Sequence, residues 1–161
     1  MLFCVAACDK DGGNKDNGSN DNDGTKPKAA VSFYVEHNSV KIELGGDAKA
    51  VITALGTPKS TSPMGNCGGQ GTLTKYTYAS IEIYVLTSGA KETVDQITLL
   101  DDSTKTPENI TIGSTKDEVI KACGNAYSKV SDTGITYTSG DKNLMIQLRD
   151  GVVVGIDYRV L

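Results

Sequence analysis

Apolar residues in this chain follow two periods, and the switch between them occurs twice. Ala48, Val51, Ile52 and Leu55 stand three or four apart, which puts them on one face of a helix. Val119, Ile120 and Cys123 repeat that spacing further on. After each run the pattern shortens to strand-like segments, such as Ile81-Glu82-Ile83-Tyr84-Val85 and Leu144-Met145-Ile146-Gln147-Leu148. Thr115 and Glu118 have the spacing of a capping box for the second helix. Gly56 and Gly124 stand where a left-handed residue would end each helix. Turn signals fall at Ser88-Gly89, Ser139-Gly140-Asp141 and Asp150-Gly151. Upstream, residues 31–35 and 40–44 flank His37-Asn38-Ser39 and read as a hairpin.

The two halves align without a gap over their helices. Gly45 to Gly56 lies over Gly113 to Gly124, with Gly, Val-Ile, Ala and Gly coinciding and Leu55 falling on Cys123. Tyr76-Thr77-Tyr78 then matches Ile135-Thr136-Tyr137, residues 81–85 match 144–148, and residues 94–99 match 153–158. Four elements in the same order predict an internal repeat. The expected fold is α+β: two tandem repeats, each a short helix and three antiparallel strands, with the helices on one face of the sheet. The expected boundaries are a hairpin plus first repeat at 31–102, and a linker plus second repeat at 103–161. Asp101 to Pro107 reads as the loop between them.

The N-terminus adds a location. Val5-Ala6-Ala7-Cys8 has the form of a lipobox: an apolar residue, two small residues and a cysteine that takes the lipid. Met1 to Ala7 carries no Lys or Arg and is short for a signal peptide, so residues 1–8 read as a truncated lipoprotein signal. Residues 9–30, rich in Asp, Asn, Gly and Lys, hold almost nothing that can enter a core and read as a disordered tether. Such a chain spans about 25 Å. The protein is therefore expected on the extracytoplasmic face of a cell membrane, anchored by a lipid on Cys8.

Three groups of residues carry a resemblance. Ile112 to Val119, running on to Gly124, resembles the helix-opening motif of small β-barrel-assembly lipoproteins of the bacterial envelope. The tandem helix-plus-strands order resembles the β-lactamase-inhibitory-protein fold, which implies a concave sheet that grips a protein. The lipobox, the polar tether, Leu55-Gly56-Thr57-Pro58, Cys67 in its glycine-rich loop and the Tyr76-Thr77-Tyr78 strand are similar to Gram-positive envelope lipoproteins. These motifs imply a fold more than an activity. The second helix ends in Gly124-Asn125-Ala126, without the proline of Gly56-Thr57-Pro58.

Charge and composition narrow the chemistry. The 16 Lys and Arg against 20 Asp and Glu leave a net charge of −4, which speaks against nucleic acid as a partner. A single histidine, His37, leaves little from which to build a Ser/His/Asp or Cys/His set. Cys67, in Gly65-Asn66-Cys67-Gly68-Gly69, is the one candidate nucleophile, and no catalytic residue is assigned. No metal ligand set or cofactor is expected either. Asp21-Asn22-Asp23-Gly24 looks like the middle of a calcium loop, yet Ser19 and Ala30 occupy its acidic first and last positions. Cys67 and Cys123 either form a bridge in an oxidising compartment or remain thiols, with Cys123 on an apolar helix face.

Tyrosines are the candidate binding residues: Tyr76, Tyr78 and Tyr84 in the first unit, Tyr137 and Tyr158 in the second. On an uncovered sheet face they would make an aromatic recognition patch; facing the helices, they would be core. Tyr84 alternates against Ile81, Ile83 and Val85 and is the best placed for the uncovered face. The expected function is that of a non-enzymatic binding module for a protein or cell-wall component. A scaffold subunit of an envelope assembly and an enzyme-inhibitor-like protein are the alternatives.

Overall fold

The computed structural model describes residues 31–65 and 71–161. The chain opens with β1 (Tyr34–His37), β2 (Val40–Glu43) and helix α1 (Ala48–Leu55). Then come β3 (Ser60–Met64), β4 (Thr72–Thr77), β5 (Ile81–Ser88) and β6 (Lys91–Leu99). Helix α2 (Lys116–Cys123) leads to β7 (Lys129–Val130), β8 (Gly134–Ser139), β9 (Lys142–Arg149) and β10 (Val152–Val160). The lipobox with Cys8, the 9–30 tract and Cys67 lie outside the described residues.

The expected α+β layout of two helix–three-strand repeats is not what the chain forms. Among the described residues the protein is mainly β: two eight-residue helices stand against ten strands. Eight strands make one antiparallel sheet in the order β3-β4-β5-β6-β10-β9-β8-β7, and β1 and β2 pair as a separate hairpin. The physical reason lies at the edges. β3 (Ser-Thr-Ser-Pro-Met) and β7 (Lys-Val) are largely exposed and show no apolar alternation. Pro63 has no N–H for a ladder, and its place in the edge strand β3 is where that does least harm.

Local chemistry sets the elements. Asp47 caps α1 by accepting from the backbone N–H groups of Lys49 (2.9 Å) and Ala50 (3.3 Å). Thr115 and Glu118 form a reciprocal capping box on α2. Gly56 and Gly124, at φ 75° and 88°, end the helices, and their N–H groups donate to the Ile52 and Ile120 carbonyls. Asn38 and Ser39 both take positive φ, as a type I′ hairpin turn requires.

One sheet face is core. Ile81, Ile83 and Val85 of β5, Val94, Ile97 and Leu99 of β6, and Val153, Ile156 and Tyr158 of β10 are buried on it. Eight-residue helices cannot cover so broad a face. The hairpin adds Val35 and Ile42, both fully buried, and the segment after β6 adds Thr104, Thr106 and Ile110, also buried. Asp101 to Pro107 is thus part of the packing and not merely a solvated loop.

Hydrogen bonds recur at corresponding places in the two halves. The Gly45 N–H donates to Val94 O at 2.7 Å and the Val94 N–H to Gly46 O at 3.0 Å. Gly113 to Val153 and Val153 to Ser114 repeat the pair, both at 2.8 Å. The Tyr78 hydroxyl donates to the Gly56 carbonyl at 3.4 Å, and the Tyr137 hydroxyl to the Gly124 carbonyl at 2.9 Å. Each helix end is therefore tied to the sheet by a tyrosine.

Candidate functional site

The other sheet face is open and polar. Strand pairing aligns two neighbouring rows across it: Lys75, Tyr84, Gln96, Arg159 and Asn143, and Thr77, Glu82, Thr98, Asp157 and Met145. Residues opposite one another in such rows have Cβ atoms about 5 Å apart, within reach of side-chain bonding. Two bulges shape the field. Tyr84 pairs with Gln96 and Val85 with Val94, which leaves Asp95 unpaired, and Val154 is skipped in the same way between β9 and β10. A bulge sharpens local twist and re-aims the side chains beside it.

Two carboxylates organise the rows. Glu82 accepts from the Lys75 ammonium at 2.9 Å, the Thr77 hydroxyl at 3.2 Å and the Tyr84 hydroxyl at 3.1 Å. The Lys75 and Glu82 side chains are only 27% and 15% exposed, so their attraction is less screened than in a typical surface pair. Asp157 accepts from the Thr98 hydroxyl at 2.7 Å and from the Gln96 amide at 3.4 Å. Its second oxygen takes the Gln147 amide at 3.0 Å. Gln147 reaches it by lying over Gly155, where a Cβ would come within 3.2 Å of the amide carbon.

Electrostatics follow the same contacts. Burial pushes the Glu82 carboxyl up, but the bonds from Lys75, Tyr84 and Thr77 outweigh it and hold Glu82 below the usual range. Tyr84 is pushed up to about 12, first by burial, then by its bond to Glu82 and the charges of Glu82 and Asp157. Asp95 is raised by burial, against the opposing pull of Arg159. At neutral pH Tyr84 is therefore a protonated hydroxyl held on the Glu82 carboxylate, with the Asp157 charge reinforcing its proton. The arrangement orients donors and acceptors; it can hold a polar ligand.

Of the five candidate tyrosines, only Tyr84 lies on the open face. Tyr76 pairs with Ile83 and packs half-buried against the core. Tyr78, Tyr137 and Tyr158 are 6%, 2% and 0% exposed. The five-tyrosine patch is corrected to a single residue: Tyr76, Tyr137 and Tyr158 take the inward parity of their strands, and Tyr78 is buried just past the end of β4. Tyr158 is held far above its ordinary range by burial. Cys123 is buried on α2, and its proposed bridge partner Cys67 lies outside the described residues. His37 is the last residue of β1, with Nδ1 3.3 Å from Thr104 Oγ1 and 3.4 Å from Ser80 Oγ. Glu82, Gln96, Thr98, Gln147 and Asp157 are not among the sequence candidates. Their signal is the polar half of the alternation in β5, β6, β9 and β10.

Fold and site together define a mainly β protein whose chemistry lies on the flat of a sheet. By its sequence the chain belongs to the sulfocyanin (SoxE) domain family, whose model matches residues 37–156. This match gives no support to the resemblance to the inhibitory-protein and assembly-lipoprotein families. The family is cupredoxin-like. Blue-copper sites of that class take two imidazoles, a thiolate and a weak axial ligand. This chain has one histidine, and its Nδ1 is engaged by Thr104 and Ser80. Among the described residues no three His, Cys, Asp or Glu side chains converge. The residues present do not fit a copper ion.

None of the curated proteins matches this chain. Two solved structures are similar. One is a cysteine-rich secretory protein from Staphylococcus aureus subsp. aureus Mu50, 11% identical with a TM-score of 0.51, covering 83% of this chain and 49% of that one. The other is an extracellular protein containing a SCP domain from Bacillus anthracis str. Ames, 15% identical with a TM-score of 0.42, covering 73% and 44%. This chain spans about half the length of the first and less of the second. At such identity the staphylococcal likeness concerns the fold alone.

Proposed function

We propose that this protein is a non-catalytic, lipid-anchored binding module that presents the open face of its sheet to a cell-wall component. The observation that carries the reading is the half-buried Tyr84, fixed by Glu82 amid the hydroxyls, amides and paired charges of five strands. Protein-binding hot spots rely on desolvated aromatic and Arg anchors in apolar pockets. A flat field of amides, hydroxyls and carboxylates with one aromatic ring suits a polyhydroxylated, amide-bearing polymer better. The lipobox at Cys8 and the polar tract behind it would hold the domain at the membrane, within reach of the wall.

The test is co-sedimentation with purified peptidoglycan sacculi. The wild-type chain should pellet saturably, and Tyr84→Ala should weaken binding by roughly 1–2 kcal/mol, or about 5- to 30-fold. A thermal melt shows whether the variant is folded. A folded Tyr84→Ala that pellets like wild type would overturn the reading.

A further inference from the structure

On the covered side of the sheet, a cleft of about 700 Å³ opens between the β1–β2 hairpin, the β4–β5 turn and the segment after β6. That volume suits a small ligand. Three segments far apart in sequence are locked together at its wall. Ser80 and Thr104, each 3% exposed, share a hydrogen bond of 2.8 Å, and both hydroxyls lie against His37 Nδ1. The same distances serve either tautomer; in the one where a hydroxyl donates to Nδ1, the ring proton sits on Nε2, for which no partner occurs among the described residues.

Ser103 and Thr106 in the lining are bonded to Asp101 and to the Ile110 N–H, and Tyr34 stacks under Lys41, but four polar side chains are left over. Asn38, in the hairpin turn, and Asn109, in the segment after β6, both line the cleft, and neither side-chain amide is hydrogen-bonded among the described residues. Glu36 and Lys105 bring opposite charges to the same cleft, and neither forms an ion pair there. Each primary amide offers a donor and an acceptor, which match the N–H and C=O of a peptide unit. An ammonium beside them matches a terminal carboxylate, and a carboxylate matches a terminal amine.

We propose that this cleft is a second binding site, which takes a short peptide by its free carboxylate end. Lys105 receives the carboxylate, Asn38 and Asn109 bracket the last peptide unit, and His37 Nε2 donates from the wall. The site is independent of Tyr84, which lies on the opposite face of the sheet.

Titration of the full chain with L-alanyl-L-alanine, followed by amide and imidazole NMR shifts, tests the assignment. Saturable shifts are expected at His37, Asn38, Lys105 and Asn109. The C-terminally amidated dipeptide and the exposed-site variant Lys105→Ala should each bind about tenfold more weakly, as loss of a charge-assisted bond implies. Tyr84→Ala should bind the dipeptide like wild type, so failure here is separable from failure at the sheet face. Absence of saturable shifts at the cleft would overturn the proposal. So would equal binding of the amidated peptide, wild-type affinity in Lys105→Ala, or preferential binding of N-acetylglucosamine.

Discussion

Replacing Tyr137 by phenylalanine removes one oxygen and leaves the ring in place. That oxygen donates to the Gly124 carbonyl at 2.9 Å, in a site where Tyr137 is 2% exposed. The substitution leaves the carbonyl without this donor, at a cost of about 1–2 kcal/mol. Tyr78→Phe removes the corresponding contact to Gly56, which is longer at 3.4 Å and belongs to a 6% exposed residue. Its cost should be about 0.5 kcal/mol, the low end for such a bond. Urea denaturation of both variants should show a lower midpoint with unchanged slope, and a clearly larger drop for Tyr137→Phe. Thermal midpoints should fall by about 5 °C and 2 °C. Equal losses, or a neutral Tyr137→Phe, would refute the idea that these hydroxyls fasten the helix ends to the sheet in proportion to their geometry.

Two further perturbations read other parts of the structure. Thr115→Ala dissolves the α2 capping box and should cost about 1 kcal/mol in urea unfolding, with the sheet otherwise unchanged. Burial and the bond to Glu82 push Tyr84 up to about 12 in the folded protein, against about 10 when unfolded. The folded state therefore holds that proton more tightly, so its stabilising share is complete below pH 10 and falls between pH 10 and 12. Ultraviolet titration should show one tyrosine ionising near pH 12 that Tyr84→Phe removes.

Much of the scaffold was legible because burial writes periodicity into sequence. The spacing of Ala48, Val51 and Leu55 and of Val119 and Cys123 located the helices, and the apolar alternation of β5 located a central strand. β3 and β7 escaped because an exposed edge strand needs no apolar side, and without them three strands per unit were expected where four form. The candidate site was half legible. Parity alone set Tyr84 against Ile81 and Ile83, but Tyr76 sits in a strand whose other face holds Lys75 and Thr77, Tyr78 falls one residue past its end, and nothing there fixes the side. The His37, Ser80 and Thr104 cluster joins residues 24 to 67 positions apart, which no local pattern brings together.

If the open sheet face, centred on Tyr84, is the cell-wall-binding surface we propose, ligand-induced changes must localise there. The most direct measurement is NMR shift mapping of the ¹⁵N-labelled full chain titrated with soluble peptidoglycan fragments. Shifts concentrated on Tyr84, Gln96, Thr98, Gln147 and Asp157, and lost in folded Tyr84→Ala, are the predicted result. Shifts that leave those residues unmoved while fragments bind elsewhere, or no saturable binding, would contradict it.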